Sequence, residues 1–86
     1  MYEVRVPADA RADFESLPLR MQPRVQEVFN RLVLWPNVSG VKPLRGTLKG
    51  TYRIRTGDWR VLFTVDEKAK RITISRIDNR RDVYND

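Results

Sequence analysis

The dipeptide Gly57-Asp58, set between the runs Thr51–Thr56 and Trp59–Asp66, constrains this 86-residue chain more than any other feature. Both flanking runs are rich in β-branched and aromatic residues. A two-residue loop that opens on Gly suits the tight turns whose twist matches that of paired strands. Such a loop sets the register: Thr56 faces Trp59, Arg55 faces Arg60, Ile54 faces Val61, Arg53 faces Leu62 and Tyr52 faces Phe63. One side of the ribbon then carries Tyr52, Ile54, Trp59, Val61, Phe63 and Val65, and needs cover from other elements. The other side carries Arg53, Arg55 and Arg60.

The covering elements are legible upstream. Tyr2, Val4 and Val6 alternate with Glu3 and Arg5, the pattern of a short half-buried strand ended by Pro7. Ala8–Ser16 is predicted helical, stopped by Leu17-Pro18. A second helix begins between Pro18 and Pro23 and runs to about Leu34, with Val25, Val28, Phe29 and Leu32 at helical spacing. Asn37–Gly50, broken by Gly40, Pro43, Gly46 and Gly50, is expected to be a connector. Arg71–Ile77 supplies a third strand behind the looser turn Glu67–Lys70, and Ile77–Asp86 is a polar tail. The expected fold is α+β, one domain over residues 1–86: strand, helix, helix, then a three-stranded antiparallel meander with the helices on one face. The sheet edge that Tyr2–Val6 joins stays open.

Composition narrows the chemistry. Without Cys or His the chain has no disulfide, thiol nucleophile, imidazole acid–base pair or Ser-His-Asp triad, and a zinc site is all but excluded. No metal and no cofactor is expected. The beginning of the chain lacks an apolar signal core, and no stretch approaches the roughly 20 apolar residues of a membrane span. A cytoplasmic setting, with no membrane partner, is the expectation.

The charge is unevenly placed. Residues 1–41 balance five basic against five acidic groups, whereas residues 42–86 hold 12 basic and six acidic, which is the whole net charge of +6. Between Lys42 and Phe63 the sole acid is Asp58. This segregation suggests an anionic partner, nucleic acid before an acidic protein segment, against the plainer reading that basic excess aids solubility. Arg55 directly opposite Arg60 is unfavourable in a bare hairpin and is easiest to understand if an anion bridges the two. The plainer alternative is three solvated arginines screened by salt. Trp35 and Trp59 are expected in the core rather than stacked on bases. Tyr84, in the polar tail, is as apt to be a functional hydroxyl as an anchor.

The ordered set Leu44-Arg45-Gly46, Tyr52-Arg53-Ile54-Arg55, Gly57-Asp58-Trp59-Arg60-Val61 and Arg80-Arg81-Asp82-Val83-Tyr84 resembles the RelE/ParE superfamily of toxin components from toxin–antitoxin modules. The likeness spans nearly the whole chain and extends to the RelE-like, microbial-ribonuclease-like order of elements. The RelE branch cleaves messenger RNA in the ribosomal A site, and the ParE branch poisons DNA gyrase. The resemblance to RelE implies catalytic roles for Arg53, Arg55, Arg60, Arg80 and Tyr84. Lys42, Arg45, Lys49 and Arg81 are the expected RNA-binding residues. The full terminal Arg and Tyr set favours the nuclease over a gyrase inhibitor or a non-catalytic nucleic-acid-binding module. Two departures leave the general base open: positions 53 and 55 are Arg where the best-known pattern has Lys, and Asn79 stands where many relatives have His. Arg does not give up its proton, so Tyr84 is the better candidate. The implied partners are the ribosome with its messenger RNA, a cognate acidic antitoxin, and operator DNA only through the antitoxin complex.

Overall fold

A computed structural model of the chain describes residues 1–79. Strand β1 (Glu3–Arg5) leads through Pro7, whose extended backbone (φ −65°, ψ 174°) starts helix α1 (Ala8–Glu15). The Pro7 carbonyl accepts the Arg11 N–H at 2.8 Å, so the helix opens on a residue with no donor to waste. A 3₁₀ turn (Leu19–Met21) enters helix α2 (Gln22–Leu32), where Pro23 falls in the first turn and is tolerated for the same reason. Val25, Val28, Phe29 and Leu32 form the buried stripe of α2. That helix ends two residues earlier than its expected limit at Leu34.

The connector after α2 contains a two-residue strand, β2 (Lys42–Pro43), and a 3₁₀ turn (Gly46–Leu48). The first meander strands are β3 (Thr51–Thr56) and β4 (Trp59–Asp66), at the expected bounds. The third, β5, runs over Arg71–Asn79, two residues beyond its expected end. Among the described residues the sheet has five strands in the order β1-β5-β4-β3-β2, so the meander is flanked on both edges. β1 joins β5 in parallel, Val4 opposite Ile72, and β2 joins β3, Lys42 opposite Arg53. Two residues leave no alternation to detect, which is why β2 has no sequence signature.

The hairpin register is the expected one at every pair from Tyr52–Phe63 to Thr56–Trp59. Gly57 sits at φ +61°, a left-handed conformation that glycine adopts without steric cost. Ile54, Val61, Phe63, Ile72, Ile74 and Ile77 pack against α1 and α2. Trp35 closes this core, its ring centroid 5.3 Å from that of Tyr52 and 5.7 Å from that of Phe63, edge-on to the latter. Trp59 is half-buried at the margin of the same cluster.

One irregularity decides what the far face carries. The β4–β5 ladder pairs Leu62 with Arg76 but Phe63 with Ile74, so Ser75 is an extra residue, and its hydroxyl donates to the Leu62 carbonyl at 3.1 Å. This β-bulge explains why the buried isoleucines are spaced by two and then by three (Ile72, Ile74, Ile77). It also advances the register by one, so Arg60 stands opposite Asp78 rather than Ile77. Asp13 of α1 secures the bulge: Oδ2 accepts the Ile77 N–H at 2.9 Å and Arg76 Nε at 2.8 Å.

Candidate active site

The hairpin alternation turns Arg53, Arg55 and Arg60 away from the helices, and short β2 sets Lys42 beside Arg53. The chain then turns back through Leu44, whose N–H donates to the Thr51 carbonyl at 2.9 Å. A shallow pocket results, lined among the described residues by Lys42, Pro43, Leu44, Arg45, Arg53 and Arg55, four of them cationic. Lys49 lines an adjoining hollow together with Arg45, Gly46 and Tyr52. Guanidinium groups suit the planar, bidentate geometry of phosphate. Cations gathered on a hairpin face can also stabilise charge that grows on a phosphate during reaction.

Arg60 departs from the expected picture. Its side chain is only 2% exposed, and its Nε and Nη2 each donate to an oxygen of Asp78 at 2.9 Å. Thus a counter-anion to the opposed pair Arg55 and Arg60 is supplied within the protein. Arg60 does not stand open beside Arg55, as the hairpin alone implied, because the third strand brings a carboxylate to its other side. Sequence reasoning missed Asp78. The broken isoleucine spacing was the available signal, since it marks the bulge that shifts the register. Leu62, also pointing away from the helices, is buried at 6% exposure, so this face is not wholly polar.

Arg53, Arg55, Lys42 and Arg45 are therefore brought together, Lys49 lies next to them, and Arg60, across from Arg55, is held by Asp78. The expected Arg80, Arg81 and Tyr84 lie outside the described residues. Among the described residues no group of three or more potential metal ligands is present, and no helix is long and apolar enough to cross a membrane.

Residues 4–84 match the family described as the ParE toxin of type II toxin–antitoxin systems, parDE. The chain belongs to that family. This ParE-family toxin is 39% identical over 84 residues to Toxin RelG of Mycobacterium tuberculosis, a match covering 96% of this chain and 95% of that protein. It is 36% identical over 84 residues to Toxin RelE of the same organism, covering 96% and 86% of the two chains. Its fold is similar to that of the toxin–antitoxin complex RelBE2 from Mycobacterium tuberculosis, with a TM-score of 0.80, 34% identity, and coverage of 92% of this chain and 98% of that one. It is thus a type II toxin of the RelE/ParE superfamily, with the α+β fold of RelE-like toxins.

Proposed function

We propose that this toxin is an endoribonuclease that cuts messenger RNA in the ribosomal A site. The observation that carries the reading is the gathering of four cationic residues, Lys42, Arg45, Arg53 and Arg55, around one pocket on the hairpin's far face. In the proposed reaction the ribose 2′-oxygen forms a bond to phosphorus as the bond to the 5′-oxygen breaks, leaving a 2′,3′-cyclic phosphate and a 5′-hydroxyl. Arg53 and Arg55 neutralise the extra charge on the pentavalent phosphorane, and Lys42, Arg45 and Lys49 hold neighbouring phosphates. Arg60, held by Asp78, is assigned to the phosphate from the neighbouring strand as an oriented hydrogen-bond donor rather than as net charge. An arginine cluster supplies no base, so Tyr84, as the phenolate, is assigned to accept the 2′-hydroxyl proton; Arg80 stabilises the leaving 5′-oxygen, which takes its proton from water, and Arg81 contacts the RNA. No cofactor enters this chemistry. Weak intrinsic acid–base power makes the ribosome the source of substrate orientation.

The names of the relatives RelG and RelE support this reading, whereas the family description supports a second one, inhibition of DNA gyrase by binding. We further assign the toxin one domain, a cytoplasmic setting and a cognate antitoxin; the RelBE2 structure, a toxin–antitoxin complex, supports the antitoxin. The test is a translation reaction with purified toxin in which messenger 5′ ends are mapped with and without ribosomes. New ends that require ribosomes are expected, and Arg53→Ala and Arg55→Ala should each lower cutting about 100-fold or more. Intact messenger together with blocked gyrase supercoiling would overturn the nuclease reading in favour of the second.

A further inference from the structure

We infer that Asp78 is a positioning residue for RNA cutting, one that holds Arg60 in its working orientation and in doing so weakens the binding of RNA. This rests on the nuclease reading. Three linked features build the position: the extra residue Ser75 advances the β5 register, Asp13 grips the Ile77 N–H, and the advanced register sets Asp78 directly across from Arg60. Both carboxylate oxygens are engaged at 2.9 Å, one on Nε and one on Nη2, and the Asp78 side chain is 21% exposed. A fork of this kind removes the torsional freedom of the guanidinium and aims it. The result is a row across three strands, Arg55, Arg60, Asp78, in which the middle cation is fixed by the anion at one end.

The same carboxylate removes one unit of positive charge from the face that phosphates approach. A face built for phosphate affinity alone would bind better without it. The two effects of Asp78 therefore have opposite signs, an orientation that speeds cutting and a charge that opposes binding. A purely structural role predicts that both fall together when Asp78 is replaced.

Asp78→Asn separates them. Cutting of ribosome-programmed messenger at saturating toxin should slow by about 10- to 100-fold through loss of alignment. Binding of a single-stranded RNA with 2′-O-methyl riboses, followed by fluorescence anisotropy, should be as tight as wild type or tighter. Its log–log salt slope should steepen by about 0.7 for the uncovered cation. Cutting at the wild-type rate, or cutting and binding that fall together, would overturn the inference while leaving the nuclease reading intact. Where Asp78→Asn does not fold by far-UV circular dichroism, Asp78→Glu decides. It keeps the charge, so an unchanged salt slope with slower cutting supports the assignment and wild-type cutting overturns it. Loss of fold in both variants assigns Asp78 to stability and overturns the inference. A wild-type toxin that leaves messenger intact overturns the nuclease reading, and the role of Asp78 in cutting with it.

Discussion

Asp13 and Arg76 share one short ion pair, but they should contribute very unequally to stability. The Asp13 side chain is 17% exposed and Arg76 is 61% exposed. Asp13 also accepts the backbone N–H of Ile77, two residues past the bulge, at 2.9 Å. The charged partner is thus mostly solvated, and exposed ion pairs contribute up to about 1 kcal/mol. The backbone bond is a part-buried one to a charged acceptor, of the class that contributes about 1.5–3 kcal/mol, and deleting the acceptor strands the donor. Asp13→Ala should therefore cost about 2–3 kcal/mol, Arg76→Ala clearly less, and Asp13→Asn, which keeps a neutral acceptor, a value between them. With a urea slope of about 1 kcal/mol/M for a chain of this size, the midpoint should fall by about 2–3 M for Asp13→Ala and by clearly less for Arg76→Ala. Equilibrium urea unfolding followed by tryptophan fluorescence reads both. Equal shifts, or a larger one for Arg76→Ala, would refute the view that the Ile77 N–H rather than the ion pair is what Asp13 secures.

Two further expectations test other parts of the fold. Hydrogen bonds from Arg71 first and Arg5 second hold the Glu3 carboxyl below its ordinary value of 4.5, so its contribution to stability is present above that pH and is lost as pH falls through the lowered value. Urea midpoints of the wild type should exceed those of Glu3→Gln near neutrality and converge with them in acid, and a difference that persists or grows in acid would contradict the sign. At the hairpin tip, a Cβ on Gly57 would lie 3.7 Å from Met21 Cε, an ordinary contact, so the cost of Gly57→Ala is that of the left-handed backbone, about 1–2 kcal/mol. Gly57→Asn should recover part of that loss in thermal melts, and an Asn variant less stable than Ala would show that space rather than backbone governs the tip.

Residues whose partners are set by local geometry were legible in the sequence. Gly57-Asp58 specified the hairpin, and with it the facing of Arg53, Arg55 and the aromatic core, because a two-residue turn permits one register. The α2 stripe was legible for the same kind of reason, since Val25, Val28, Phe29 and Leu32 repeat at the period of a helix. The edge joined by β1 was not, as a three-residue strand pairs equally well with any open edge until the helices decide where it can reach. Nor was β2, although it brings Lys42 and Arg45 to Arg53.

The sequence by itself thus determined the α+β class, the core face and the presence of cations on the opposite face, all consequences of period and turn chemistry acting over a few residues. Only the tertiary structure decided what those cations do to one another. The state of Arg60 depends on a strand 18 positions along the chain, on a bulge that shifts that strand by one residue, and on a helix carboxylate that secures the bulge. Each of those contacts depends on the others, because a one-residue change in register exchanges an isoleucine for an aspartate beside a buried charge.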